Sequence, residues 1–171
     1  IHNLVKKSDA IVSNNRPSTS SKLSIDYKTL SKINPSIIYV EITGYGPKGA
    51  RSKDPGFDLI MQGFTGAVAT EGKIYNGQPE VIWSSSYIDF ATAYAAASGI
   101  MAGIIKRYKT GKGSHISTSL LSNALAMQSL HLIEVDGFPS VQYKWTKEEK
   151  PFLESSGASF EKILSSYKEK T

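Results

Sequence analysis

The stretch Ser36-Ile37-Ile38-Tyr39-Val40-Glu41-Ile42-Thr43 carries the clearest secondary-structure signal in this chain of 171 residues. Its β-branched, aromatic and nearly continuous apolar side chains are typical of a strand buried on both faces of a parallel sheet. Asn34-Pro35, just before it, ends a short helix for which Asp26 is the expected N-cap. Ala10-Ile11-Val12 predicts an earlier strand. The order strand, helix, strand predicts half of a parallel α/β layer.

Further elements follow along the chain. Apolar residues recur with helical spacing from Phe57 to Gly66, and a long small-residue helix runs from about Tyr87 to Tyr108. Alternation at His115 to Ser119 predicts a strand. The remaining expectations are a short strand at 81–83, a helix at 120–133, an irregular charged segment at 145–150 and an amphipathic helix at 158–170.

The composition narrows the function classes. Hydrophobic residues make up 40% and charged residues 20%, which is typical of a globular domain. The absence of cysteine excludes disulfides and thiolate metal sites, and it fits a reducing compartment such as the cytoplasm. The three histidines lie far apart, so we expect no metal site. The net charge of +5 is spread along the chain, which leaves a nucleic-acid-binding module as a weak alternative to an anionic, phosphate-bearing ligand.

Two glycine motifs invite interpretations that their surroundings disfavour. Gly44-Tyr45-Gly46-Pro47-Lys48-Gly49 matches GxGxxG after a strand, but Pro47 and Pro55 oppose the helix that a dinucleotide site requires inside the motif. A loop beside the substrate, or a plain turn, is the expected structure. Gly99 and Gly103 form a GxxxG pattern, yet only 16 uncharged residues separate Asp89 from Lys106, fewer than the about 20 that cross a membrane.

Asp89 has two possible interpretations, one structural and one catalytic. It stands in the first turn of the long helix, where the helix dipole stabilises a negative charge whether or not the residue has a chemical function. The same place suits a nucleophile or base among apolar neighbours. Asp58 has a similar structural explanation at the start of the preceding helix.

The order of the segments resembles the family III CoA-transferases (CaiB/BaiF-like), the group that includes formyl-CoA transferase and carnitine CoA-transferase. The likeness covers roughly residues 5–128. The segments that carry it are Ser8-Asp9-Ala10, Asn14-Asn15-Arg16-Pro17, Leu30 to Val40, Thr43 to Gly49, Asp54-Pro55-Gly56-Phe57-Asp58, Gln62 to Gly66, Ile88-Asp89-Phe90, Arg107 to Gly113 and Ser119-Leu120-Leu121. The resemblance implies part of a Rossmann-like parallel-sheet domain followed by the long helix, an incomplete α/β domain.

The resemblance implies that Asp89 attacks an acyl-CoA thioester, forms a mixed anhydride and then an aspartyl-CoA thioester, and passes CoA to an acceptor carboxylate. Coenzyme A and acyl-CoA are then substrates, and no cofactor is bound permanently. CoA contacts are implied at Asn14, Asn15, Arg16 and Lys22. Phe57 is implied to face the CoA and the active site, and because related racemases carry histidine there, it disfavours racemisation.

Departures from the family bear on what this chain does alone. Asn15 stands where phenylalanine is usual, which weakens the expected stacking on the CoA base. The first strand and helix, and the glycine-rich loop that shields the anhydride, have no counterpart. Family members are more than twice as long and form interlocked homodimers, so we expect a fragment with residues 1–133 CoA-transferase-like and 134–171 poorly matched. A non-catalytic CoA-binding or dimerisation remnant is the alternative from another class.

Overall fold

The computed structural model describes residues 1–70, 73–129, 135–138 and 141–169. They form two compact units, Ile1–Asp58 with Tyr87–Asn123 and Leu59–Ser86 with Ala124–Thr171. In chain order, the elements are α1 His2–Val5, β1 Ala10–Ser13, α2 Pro17–Lys22, α3 Tyr27–Ile33, β2 Ile38–Thr43, α4 Asp58–Phe64, α5 Ala67–Thr70, β3 Ile74–Tyr75, β4 Gln78–Pro79, α6 Tyr87–Thr110, β5 Ser114–Ser119, α7 Leu120–Met127, α8 Val141–Lys144, a π-helical turn Trp145–Glu149, α9 Lys150–Ser155 and α10 Phe160–Lys168.

The first unit is built on a parallel sheet with strand order β1-β2-β5. Ile38 of β2 pairs with Ala10 of β1 and with Ser114 of β5. The three predicted strands and the α/β class are thereby confirmed. The predicted division of the chain at residue 133 stays a prediction.

The central strand β2 is buried on both faces, as its apolar run predicts. Alternate side chains of a strand point to opposite faces. Tyr39 belongs to a core cluster that includes Val5 of α1 and Leu30 of α3, whereas Ile38 faces α6. Helices therefore cover the sheet on both sides.

Helix α6 packs against β2 and β5 through a face of small and apolar residues. Thr92 and Ala96 are buried on this face. At Gly99, a Cβ would lie 2.7 Å from Ile116 Cγ2 of β5, so the helix approaches the strand closely because this residue has no side chain. By length and composition α6 is also apolar enough to cross a membrane.

Helix α3 begins as the sequence predicts. Asp26 Oδ1 accepts the backbone N–H of Thr29 at 3.1 Å, and Oδ2 accepts the Thr29 hydroxyl at 2.8 Å. These bonds satisfy a donor that the first turn of the helix leaves open. The hydroxyl, followed by backbone N–H groups, holds the pKa of Asp26 below its ordinary value.

The strand predicted at 81–83 is wrong. In the second unit, the buried side chain of Gln62 takes the place of a neighbouring strand, since its Oε1 accepts the Ile82 N–H at 2.8 Å and its Nε2 donates to the Ile82 carbonyl at 3.3 Å. A side-chain amide can satisfy an extended backbone as a ladder does. The short antiparallel pair of this unit lies earlier, between β3 and β4.

The irregular segment predicted at 145–150 is also wrong, because these residues continue a helix through the π-helical turn into α9. Buried Trp145 anchors the turn: its Nε1 donates to Ser166 Oγ at 3.1 Å, and its ring meets Tyr167 edge-on. The final amphipathic helix is confirmed as α10, with Ser159 as its N-cap. The helix predicted at 120–133 is present as α7, and residues 130–133 of that prediction lie outside the described residues.

Candidate active site

A cavity of about 410 Å³ lies at the carboxyl ends of the parallel strands in the first unit. In open α/β sheets, ligands bind at this edge because the loops that follow the strands converge there. The residues that line it are Asn14, Asn15, Arg16, Pro17, Ile42, Thr43, Gly44, Ser52, Asp54, Pro55, Gly56, Phe57, Asp89 and Leu120. They come from the turn between β1 and α2, from the end of β2 and the loop that follows it, and from the first turns of α6 and α7.

The cavity gathers most of the residues that the sequence analysis selects. The residues Asn14, Asn15, Arg16, Phe57 and Asp89 all line it, although they lie far apart along the chain. Lys22 is not among the lining residues. It is the last residue of α2, about 7.5 Å along the helix axis from Pro17 at its start.

Asp89 is the third residue of α6, so its carboxylate lies at the positive end of a helix of 24 residues. Its side chain is accessible from the cavity, while the surrounding walls remove part of its water. This desolvation, followed by the negative charge of Asp58, raises the pKa of Asp89 above its ordinary value. An accessible carboxylate with a raised pKa is a stronger electron-pair donor than an ordinary surface aspartate, and it can serve as a nucleophile or a base.

Asp58 is a buried neighbour of Asp89 for which the sequence predicts only a structural role at the start of its own helix. Although it is the first residue of α4, its Oδ2 accepts the N–H of Ile88 at 2.9 Å and the N–H of Asp89 at 3.1 Å. Only 4% of Asp58 is exposed. Asp58 therefore caps α6, and no local sequence pattern predicts a cap from 31 positions away.

The turn after β1 presents polar and basic groups to the cavity. Asn15 donates its backbone N–H and its side-chain amide to Ser13 Oγ at 3.4 and 3.3 Å, so this amide is partly used within the turn. Arg16 is exposed and precedes Pro17, which begins α2. A guanidinium in this place can bind a phosphate through two parallel hydrogen bonds.

The loop between β2 and α4, residues 44–57, forms the other wall. No helix begins within its GxGxxG motif, and α4 starts only at Asp58. The two ends of the loop touch, because a Cβ at Gly44 would lie 2.9 Å from Gly56 Cα. Arg51 and Asp54 form an exposed ion pair at 3.3 Å within the loop.

Phe57 is 54% exposed and follows this loop on the cavity wall. The titratable residues among the described lining are Arg16, Asp54 and Asp89, and no histidine stands with them. His115, the closest in sequence to a lining residue, stacks on Tyr27 of α3 and pairs with Tyr39 within the sheet. The described lining therefore offers the Asp89 carboxylate without an imidazole partner for two-base proton transfer.

A parallel α/β sheet with an accessible aspartate at the start of a long helix, facing a cavity beside a basic turn, defines a site with a carboxylate next to groups that bind phosphate. The sequence profile of the CoA-transferase family III matches residues 1–151. The chain belongs to this family, and the resemblance stated from the sequence is confirmed. The match extends past the residue at which the sequence likeness was expected to fade.

The relatives and solved structures agree with this assignment. The chain is 38% identical over 129 residues to succinyl-CoA:glutarate CoA-transferase of Homo sapiens, covering 75% of this chain and 29% of that protein. It is 32% identical over 123 residues to acetyl-CoA:oxalate CoA-transferase of Acetobacter aceti, covering 72% and 31%.

Among solved structures, a CAIB/BAIF family protein from Brucella suis matches with a TM-score of 0.70 at 30% identity, covering 81% of this chain and 37% of that one. The protein Rv3272 from Mycobacterium tuberculosis matches with a TM-score of 0.70 at 26% identity, covering 77% and 36%. The chain thus spans about a third of the length of the curated relatives that it matches.

Proposed function

We propose that this chain carries the nucleophile of a CoA-transferase, which moves coenzyme A from an acyl-CoA to a carboxylic acid. The observation that carries the proposal is the accessible Asp89 carboxylate in the first turn of α6, on the wall of the cavity. The names of the relatives support an acyl-CoA donor and a carboxylic acid acceptor, since each names a CoA-transferase acting between an acyl-CoA and an acid.

The proposed reaction exchanges acyl groups between carboxylates and a thiolate. An Asp89 oxygen attacks the thioester carbonyl carbon, the C–S bond breaks, and the CoA thiolate leaves with the electron pair, so that a mixed anhydride forms. The thiolate then attacks the Asp89 carbonyl carbon and expels the donor acid as its carboxylate. The acceptor carboxylate attacks the carbonyl carbon of the resulting aspartyl-CoA thioester, which forms a second mixed anhydride and releases the CoA thiolate. The thiolate then attacks the acceptor acyl carbon, which gives the new acyl-CoA and regenerates the Asp89 carboxylate.

These steps explain why a carboxylate suffices as the nucleophile. A carboxylate attacks as its anion, so ionised Asp89 needs no separate base to activate it. The leaving groups, a thiolate and a carboxylate, depart as anions and need no general acid. The absence of an imidazole among the described lining residues is compatible with transfer and disfavours racemisation.

Hydroxylamine trapping tests the proposal. The chain is incubated with acetyl-CoA or succinyl-CoA in the presence of hydroxylamine, which converts an anhydride or thioester on Asp89 to a hydroxamate. Peptide mass spectrometry is expected to find the hydroxamate at Asp89 only when acyl-CoA is present. Asp89→Asn is the matched control, and CoA transfer that persists in this variant contradicts the proposal.

A non-catalytic CoA-binding remnant is the second candidate, because the chain spans about a third of the length of its curated relatives. Isothermal titration with CoA, run beside the trapping experiment, separates the two candidates. Binding without hydroxamate formation supports the remnant. Binding with hydroxamate at Asp89 supports the transferase.

We propose that the protein is cytoplasmic, which fits the absence of cysteine. We further propose that it binds neither nucleic acid nor membrane and holds no cofactor permanently.

We propose a homodimer as the assembly. It is supported by the outer face of α6, where large apolar side chains are exposed at helical spacing: Phe90, Tyr94, Met101, Ile105 and Tyr108.

A further inference from the structure

The start of α6 is held by a side chain from another helix. The first N–H groups of a helix have no partner within it, and the residue before the helix ordinarily supplies one. Here Asp58 Oδ2 accepts the N–H groups of the second and third helical residues, Ile88 and Asp89, at 2.9 and 3.1 Å. The backbone that carries the nucleophile is therefore fixed by a second carboxylate.

This cap alters the environment of Asp89 as well as its position. An aspartate in the first turn of a helix normally gains from the N–H groups and dipole of that helix, and this gain lowers its pKa. The Asp58 carboxylate takes two of those N–H groups and adds a negative charge beside Asp89. Consistent with this, desolvation and then Asp58 raise the pKa of Asp89.

The charge also distinguishes the states of the proposed reaction. Free Asp89 is an anion that is repelled by Asp58, whereas the anhydride and the thioester on Asp89 are neutral. Acylation therefore relieves the repulsion between the two carboxylates. Interactions that disfavour the starting state more than the transition state accelerate a step.

We propose that Asp58 is a positioning residue of the Asp89 site, which sets the first turn of α6 and uses its negative charge to favour acylation of Asp89. The inference rests on the proposed function for the reaction itself. The capping geometry stands on the hydrogen bonds alone, and the coupling of the two charges is consistent with the raised pKa of Asp89.

The first test measures the charge coupling without any reaction. Asp58→Asn keeps the size of the side chain and an oxygen that accepts N–H groups, but removes the charge. The carboxyl carbon of Asp89 is followed by NMR against pH in the unreacted chain. Its titration midpoint is expected to move to lower pH in Asp58→Asn, and to return toward the wild-type value in Asp58→Glu.

Asp26→Asn is the matched control, because Asp26 caps α3 through Thr29 and does not line the cavity. It is expected to leave the Asp89 midpoint unchanged. If Asp58→Asn does not fold, Asp58→Ser supplies a different neutral cap for the same titration. An unchanged midpoint in a folded neutral variant, or an equal shift in Asp26→Asn, overturns the inference.

The second test follows hydroxamate formation at Asp89 as a function of pH. In Asp58→Asn we expect a severalfold lower plateau rate, a similar acyl-CoA concentration at half-maximal rate, and an acid limb moved to lower pH. If Asp58 only held the first turn of α6 in place, the acid limb of the Asp58→Asn profile would stay at its wild-type pH. Wild-type labelling at Asp89 with an identical profile in Asp58→Asn refutes the positioning role while the proposed function stands.

The reverse result is equally informative. Failure of the wild-type chain to form any hydroxamate refutes the proposed function and, with it, the catalytic part of the inference. The coupling of Asp58 to Asp89 is then decided by the NMR titration alone. The two failures are therefore distinguishable.

Discussion

Ionised Asp89 lowers the free energy of unfolding, because a carboxylate whose pKa is raised by folding is less favourable as an anion in the folded protein than in the unfolded chain. The folded state binds the Asp89 proton more tightly, so the stability from this group is full below the ordinary aspartate pKa. It is lost as the pH rises through the higher folded pKa. The ionised group thus opposes folding at neutral pH.

Asp89→Asn is accordingly expected to raise the free energy of unfolding near neutral pH. The gain should be about 0.5 kcal/mol, since solvent screens an accessible group, and it should vanish below about pH 3.9. Urea unfolding of the two proteins, at neutral pH and below about pH 3.9, measures the difference in the free energy of unfolding. Asp26→Asn should show the opposite sign at neutral pH, because the pKa of Asp26 is lowered. Lower stability of Asp89→Asn at neutral pH would contradict the prediction.

Arg16 and Lys22 provide a matched pair for CoA binding. Arg16 lines the cavity and Lys22 does not, although the family resemblance implies a CoA contact for both. Loss of a charge-assisted hydrogen bond to phosphate costs about 1.5 kcal/mol, which corresponds to about tenfold in Kd. Isothermal titration with CoA is expected to show this loss in Arg16→Ala and no change in Lys22→Ala. The reverse ranking would place the phosphate outside the cavity.

At the residue scale, the sequence identifies the groups whose chemistry matches a known pattern and misses those defined by contact. Asp89 and Phe57 are predicted because their positions match a family motif. The role of Asp58 depends on a hydrogen bond across 31 positions, and its place at the start of α4 has a sufficient local explanation. Only the folded chain shows that it caps α6.

At the scale of elements, α6 depends on close contact with the sheet. Gly99→Ala adds a methyl group that would lie 2.7 Å from Ile116 Cγ2. Overpacking costs about 1–3 kcal/mol, while the better helix propensity of alanine returns about 1 kcal/mol. We expect a net loss of about 1 kcal/mol in the free energy of unfolding, measured with urea.

Gly63→Ala is the control for this substitution, because Gly63 lies in α4 and, among the described residues, no atom lies within 4 Å of where a Cβ would stand. It should gain up to about 1 kcal/mol from helix propensity alone. If both alanine variants stabilise the protein equally, the close approach of α6 to β5 is not what requires glycine.

Elements with strong internal patterns are predictable, and those that depend on a partner are not. The apolar run of β2 and the long apolar stretch of α6 identify themselves. The extended segment at 81–83 has strand composition, but its backbone bonds go to Gln62 rather than to a strand. The helical turn Trp145–Glu149 has no regular pattern in the sequence. It is anchored instead by contacts of Trp145 with Ser166 and Tyr167, which the local sequence does not reveal.

At the scale of the whole molecule, the exposed apolar side chains of α6 are a surface that water does not favour. Met101 is 59% exposed and lies at the middle of this face. If this face joins two copies in the proposed homodimer, Met101→Glu should shift the chain toward monomer in sedimentation equilibrium by burying a charge at the contact.

Leu4→Glu is the matched control, because Leu4 of α1 is 71% exposed and lies outside this face. It should leave the association unchanged. A wild-type chain that sediments as a monomer at all concentrations contradicts the proposed homodimer for this chain. Equal effects of the two substitutions would indicate nonspecific association.

The contact between Gly44 and Gly56 has a consequence for the loop that joins them. The residues between them form a loop that leaves the sheet and returns to nearly the same point, so its ends stay fixed whatever lies between. Insertions into such a loop cost little loop-closure entropy. This wall of the cavity can therefore vary in length and sequence without moving the two ends of the loop. The strand before the loop and Asp58 after it keep their places when the residues between Gly44 and Gly56 change.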